Sequence, residues 1–94
     1  MSSYVLSIRG EKDRSLSSEE EAVWHQWFQS IGESITEFHR VGEARTVGAE
    51  IGRTVPSSFV VVTAESLEAA ERLASGCPGL AQGGVVEIGQ VVGS

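Results

Sequence analysis

The segment Ser58-Phe59-Val60-Val61-Val62-Thr63-Ala64 constrains this chain more than any other. As an extended strand it puts Phe59 and Val61 on one side and Val60 and Val62 on the other, apolar on both faces. A sheet with one wet face shows hydrophobic–polar alternation, so a run that does not alternate expects cover on both sides. The last strand candidate reads Val85-Val86-Glu87-Ile88-Gly89-Gln90-Val91-Val92 and makes the same demand, with Val85 and Val91 on one face and Val86, Ile88 and Val92 on the other. Ninety-four residues are one small domain, spanning 1–94. They supply only two helices, which cover one face of a sheet. The second face therefore expects a second subunit, laid sheet against sheet, because leaving several Val or Phe side chains wet forgoes roughly 1.5–3 kcal/mol each.

The remaining elements follow from local signals. Tyr4 to Arg9 alternates and ends at Gly10, which predicts a first strand. Glu11 to Leu16 is a charged connection. Ser17 precedes Glu20 by three and Ser18 precedes Glu21 by three, two overlapping capping boxes ahead of a helix. In that helix Trp24, Trp27, Phe28 and Ile31 form one apolar stripe, closed by Gly32 to Ser34. Ile35 to Val41 and Glu43 to Ile51 read as irregular, exposed strand or hairpin, and Pro56 with two Ser residues reads as a turn. Ser66 caps a second helix carrying Leu67, Ala70, Leu73 and Ala74, with Gly76 at a left-handed stop and Pro78 beyond it. Gly83-Gly84 turns into the last strand. The order strand, helix, strand, strand, helix, strand predicts an α+β, ferredoxin-like βαββαβ fold, an antiparallel sheet with both helices on one face.

Charge and cysteine usage exclude whole classes of function. Net charge is −6, from twelve Glu and the single Asp13 against seven Lys and Arg. The basic residues are scattered in sequence, only Lys12 and Arg14 falling close together, so neither nucleic acid nor an anionic membrane is an expected partner. Cys77 is alone, which leaves no internal disulfide and no clustered-thiolate zinc site. The N-terminal residues lack a basic region followed by an apolar one, and the longest apolar run is far below the roughly 20 residues of a membrane span, so a cytoplasmic protein is expected. There is no Gly-x-Gly-x-x-Gly, P-loop, nucleophile elbow or His-Glu-x-x-His, and no cofactor is expected.

Several stretches together are similar to the YCII-related (DGPF-domain) family. They are Tyr4-Val5-Leu6-Ser7-Ile8-Arg9-Gly10, Trp24-x-x-Trp27-Phe28 with Gly32, and Ser58 to Val62 followed by Ala64 to Ala70. The tail Leu73-Ala74-Ser75-Gly76-Cys77-Pro78-Gly79-Leu80 and Gly83 to Ile88 adds the strongest part. The resemblance implies a dimeric α/β barrel and, in some members, a first-helix His working with an Asp. The Asp-Gly-Pro-Phe signature itself is absent, and Glu37-Phe38-His39-Arg40-Val41-Gly42 stands where many members carry a Gly-x-Pro loop.

Five residues are candidates for a site. His25 lies on the first helix near the rim of the apolar stripe, where the resemblance puts a His, and its ordinary pKa of about 6.5 suits a general base. The alternative is a packing or surface histidine. His39 has Glu37 two residues before it, on the same face if the segment is extended. Arg9, opposite Leu6 and Ile8, either anchors a ligand carboxylate that Glu87 helps orient or forms a structural ion pair with Glu87. Trp24 is a ligand platform or, with Trp27, simply core. Two His and one Cys far apart are weak evidence for a metal, and none is expected.

These readings lead to a small dimeric barrel that binds a small, acidic organic molecule, with His25 and His39 as catalytic candidates and Arg9, Trp24 and Glu87 as ligand-binding ones. Lyase- or isomerase-like acid–base chemistry is one expectation. A non-catalytic ligand-sensing or partner-binding module is the other, supported by the lack of a nucleophile–base–orienter set. An RNA-recognition domain on the same plan needs strand aromatics and a basic face, and is set aside.

Overall fold

In the computed structural model, which describes residues 1–49 and 52–93, the first helix starts where its cap dictates. The Ser17 hydroxyl accepts from the Glu20 backbone N–H, and the Glu20 carboxylate accepts from the Ser17 N–H. Only this one of the two overlapping boxes forms. Ser18 is already the first residue of α1 (Ser18–Ile31). Glu19, Glu20 and Glu21 fill the first turn, where the helix dipole favours carboxylates.

The strands are β1 (Ser2–Glu11), β2 (Ile35–Arg40), β3 (Thr54–Ala64) and β4 (Val85–Gln90), and the second helix is α2 (Leu67–Ser75). All pairings are antiparallel, in the order β2-β3-β1-β4. That is the ferredoxin-like βαββαβ plan. Three cross-strand rows face the helices: Gln90–Tyr4–Val62–Ile35, Ile88–Leu6–Val60–Phe38 and Val86–Ile8–Ser58–Arg40. The first two rows and Ile8 carry most of the sheet's contribution to the core. Tyr4, Leu6, Ile8, Val60, Val62 and Ala64 are buried with Trp27 and Ile31 of α1, Ala70 and Ala74 of α2, and Cys77. The Trp27 indole N–H donates to the Leu73 carbonyl at 3.1 Å and joins the two helices.

The described residues extend over 36 × 35 × 19 Å, and none of their elements covers the other face of the sheet. Its rows are Gly89–Val5–Val61–Glu37 and Glu87–Ser7–Phe59–His39. Val5, Val61 and Phe59 sit at its centre together with Ser7, and Glu37, His39 and Glu87 stand on the edge strands, so it is less uniformly apolar than β3 alone implies.

Four local expectations are corrected. Pro56 lies within β3 rather than in a turn. Arg9 pairs Pro56 while Ile8 pairs Ser58, so Ser57 is the extra residue of a β-bulge, a place where strand proline is tolerated. The residues from Glu43 to Ala49 form no strand, and the last two residues of that stretch lie outside the described residues. Gly76 is right-handed (φ −84°). The left-handed stop belongs instead to Gly83 (φ 81°), closing a 3₁₀ turn over Pro78–Gln82. β4 ends at Gln90, and Val92 is exposed.

Candidate functional site

The stripe that buries α1 is not the only organised face of that helix. Glu21, Trp24, His25 and Phe28 also stand at i, i+3, i+4 and i+7, a stripe rotated toward β2. Together with Leu16, Phe38, Arg40, Ser57 and Ser58 they line a cleft of about 480 Å³ between α1 and the β2–β3 edge. Its volume is that of ordinary small-ligand sites. Aromatic rings form the apolar wall. Trp24 meets Trp27 edge-on at 5.9 Å, and Phe28 lies 6.1 Å from Trp24 and 4.8 Å from Phe38. The Trp24 indole N–H donates to Gln82 Oε1 at 3.1 Å, which fixes the ring's orientation.

A second lobe of about 300 Å³ shares Leu16, Trp24, Arg40 and Ser57 with the first. The bulge at Ser57 opens the end of the sheet here, and the Ser57 hydroxyl donates to the Ile8 carbonyl. Arg14 and Arg40 line this lobe, so the tertiary fold gathers two of the seven basic residues that the sequence scatters. Arg9 borders it from β1, with its side chain alternating with Ile8 onto the uncovered face, beside Val85. Arg14 is neutralised by Glu20 at 2.6 Å. Arg9 donates from Nε to Thr54 Oγ1 at 3.1 Å and from Nη2 to the Thr54 carbonyl at 2.8 Å, both neutral acceptors. Among the described residues neither Arg9 nor Arg40 has a carboxylate partner.

The five candidates do not form one site. Trp24 and His25 line the cleft, while Arg9 only borders its second lobe from β1 and turns its side chain to the uncovered face, onto Thr54. His39 alternates with Phe38 and Arg40 and so falls on the uncovered face, stacked on Phe59 at 4.9 Å. Its Nε2 is 3.3 Å from Glu37 Oε1, so the expected imidazole–carboxylate pair exists, on the far side of the sheet from His25. Glu87 also lies on that face, opposite Ser7, and is exposed. It makes no ion pair with Arg9. The bulge displaces Arg9 toward Thr54, while Glu87 pairs two residues further back along β1.

Sequence reasoning missed Arg40, Phe38, Glu21 and the two β3 serines. The period-two alternation of Glu37-Phe38-His39-Arg40 was the available signal. It separates the Glu–His pair from the Phe–Arg pair once one knows which face the helices cover.

Cys77 is buried, and burial pushes its thiol pKa up against the opposing effect of the Gly79 and Leu80 backbone N–H groups. No group of three or more potential metal ligands occurs among the described residues, and none of their helices is long and apolar enough to cross a membrane.

No protein-family model matches the chain, and no curated protein sequence matches it. Among solved structures it is similar to the 5-chloro-2-hydroxyhydroquinone dehydrochlorinase of Burkholderia phenoliruptrix, determined in complex with 2,5-dihydroxybenzoquinone. The TM-score is 0.68 at 16% identity, covering 98% of this chain and 95% of that one. The two proteins share a fold over their whole lengths.

Proposed function

We propose that this protein, a single YCII-like domain, binds a small, planar, acidic organic molecule in the cleft between α1 and the β2–β3 edge. The observation that carries this is the pairing of an aromatic wall, Trp24, Phe28 and Phe38, with a guanidinium, Arg40, that has no carboxylate partner among the described residues. Flat rings stack on such a wall, and an unneutralised Arg selects a carboxylate or an ionised phenol or enol. The structurally similar dehydrochlorinase holds a dihydroxybenzoquinone, a flat acidic ring of this class. In this reading His25, the imidazole lining the cleft, exchanges a proton with the bound molecule, as lyase- or isomerase-like chemistry requires.

A second reading, a non-catalytic sensing module, is favoured by one specific observation. His25 has no hydrogen-bonded orienter among the described residues, and the oriented imidazole, His39, faces away from the cleft.

The test is two-dimensional NMR with 2,5-dihydroxybenzoquinone as probe. The two indole N–H signals separate the cleft from the core. The reading expects the Trp24 signal to move and the buried Trp27 signal to stay, with the effect weakened by Arg40→Gln. No movement of Trp24 at millimolar probe overturns it. Loss of turnover in His25→Ala with probe binding retained selects the catalytic reading over the sensing one.

Two copies meet, in the same proposal, through the uncovered sheet face. Phe59 and Val85 are exposed there, and Val5 and Val61 lie paired on the row next to Phe59. A contiguous apolar patch in the middle of a sheet is the ordinary mark of a protein interface, and the cytoplasm is the setting proposed for the assembly.

A further inference from the structure

The uncovered face of the sheet carries a pattern that a plain apolar patch lacks. Its two full cross-strand rows run from β4 to β2 as Gly89–Val5–Val61–Glu37 and Glu87–Ser7–Phe59–His39. The ends of each row are unlike. In the first a glycine stands opposite a carboxylate. In the second a carboxylate stands opposite an imidazole, with a serine next to a phenylalanine between them. A row of this kind complements a reversed copy of itself.

Two sheets packed face to face with their strands roughly aligned, and related by a two-fold, have that axis lying between them. It runs either along the strands or across them. An axis along the strands sets β2 over the partner's β4 and β3 over the partner's β1, so each row meets itself reversed. Val61 then meets the partner's Val5. Phe59 meets the partner's Ser7, whose small side chain leaves room for the ring. Glu37 meets the partner's Gly89, where nothing lies within 4 Å of the place a Cβ would take. His39 meets the partner's Glu87, and symmetry repeats the contact at the other edge. An axis across the strands, between the two rows, sets each strand over itself instead. It crowds Phe59 against the partner's Val61 and leaves Glu87 over a glycine with no donor.

His39 is held ready for the first arrangement. Its ring lies on Phe59 at 4.9 Å, and its Nε2 is 3.3 Å from Glu37 Oε1. An imidazolium donates from both nitrogens, so the ring takes a second carboxylate without releasing Glu37. Glu87 is exposed and joins no ion pair among the described residues. Arg9, one row further along β1 on the same face, is held by Thr54.

We infer that two copies of the chain pack with the two-fold axis along the strands, so that His39 of each donates to the partner's Glu87 at both edges of the interface. This rests on the proposed pairing through the uncovered face and adds its orientation and the polar contacts that fix it.

Sedimentation equilibrium near pH 6, where an ordinary imidazole is largely protonated, tests this on the wild type, Glu87→Lys, His39→Glu and the double variant. Each single change sets like charges against each other at two points of the interface and should weaken association at least about tenfold. The double variant restores opposite charges and should recover most of that loss. All these side chains are exposed, so far-ultraviolet circular dichroism should stay that of the wild type. Should a charge-reversed variant unfold, Glu87→Gln and His39→Gln carry the test, each expected to weaken association several-fold, and unchanged association in both overturns the contact. A double variant no tighter than the weaker single one overturns the orientation. Weakening by His39→Glu alone, with Glu87→Lys unchanged, also overturns it and selects the axis across the strands. A wild type at single-chain mass at micromolar concentration removes the pairing on which the inference stands.

Discussion

The indole of Trp24 lies directly on Gly79, so close that a Cβ there would meet Cζ2 at 3.1 Å and Cη2 at 3.2 Å. The same 3₁₀ turn, Pro78–Gln82, also supplies the Gln82 side chain that accepts the Trp24 N–H. One short turn therefore holds the cleft wall at two points.

Gly79→Ala should shift the Trp24 ring by a few tenths of an ångström. A methyl forced into a close-packed contact typically costs about 1–3 kcal/mol. Urea denaturation should show a loss of this order, and the Trp24 indole N–H signal should move because its bond to Gln82 lengthens. An unchanged signal with unchanged stability would show that the ring is not clamped.

The start of α1 depends on a single serine. Ser17→Ala removes the acceptor of the Glu20 N–H and should lower stability by about 1 kcal/mol, read as a fall in Tm. Ser18→Ala, at the first helical residue, should leave Tm within a degree or so. Equal effects would mean that both overlapping boxes are used in solution.

Glu20 gives that helix end a pH dependence of known sign. The Arg14 hydrogen bond, seconded by the Ser17 backbone N–H, holds its carboxyl at about 2. A carboxylate whose folded pKa lies below its unfolded one adds stability that is fully present above the unfolded value. That stability fades as pH falls through the folded value. Between roughly pH 4.5 and pH 2 the wild type should therefore lose stability more steeply than Glu20→Gln. Parallel curves from acid titration of the two proteins would refute the assignment. Salt should shrink the difference, since the pair is partly exposed.

Cys77 should be inert in the folded protein. Its side chain is buried and burial raises its pKa, so the reactive thiolate is scarce and shielded. Labelling by an aromatic disulfide reagent at neutral pH should follow global unfolding with added urea. Rapid stoichiometric labelling without denaturant would contradict the packing described.

The uncovered sheet face makes the last prediction. Sedimentation should give twice the chain mass, and Val61→Asp should give the single-chain mass with the far-ultraviolet circular dichroism retained. Val61 is central to that face, paired with Val5 and Glu37, so a charge there blocks association without entering the core behind it. A wild type at single-chain mass at micromolar concentration would remove the proposed dimer.

The element order, the helix cap at Ser17, the core stripe of α1 and the two-sided apolar character of β3 were all legible from residue spacing. These are local properties, set by side-chain periodicity and by hydrogen bonds a few residues apart. What the spacing could not fix was which residues from distant segments share a side of the sheet. His39 and Arg40 are neighbours in the chain and lie on opposite faces. Arg9 and Glu87 suggested an ion pair, and the Ser57 bulge sends Arg9 to Thr54 instead. Arg14 and Arg40 look scattered in an acidic sequence, and the tertiary fold places them around one lobe. Because side chains alternate at every residue of a strand, a single bulge or a change of pairing decides a side chain's surroundings. The fold was therefore written in local pattern, while the cleft exists only through the pairing of β1, β2 and β3 beneath α1.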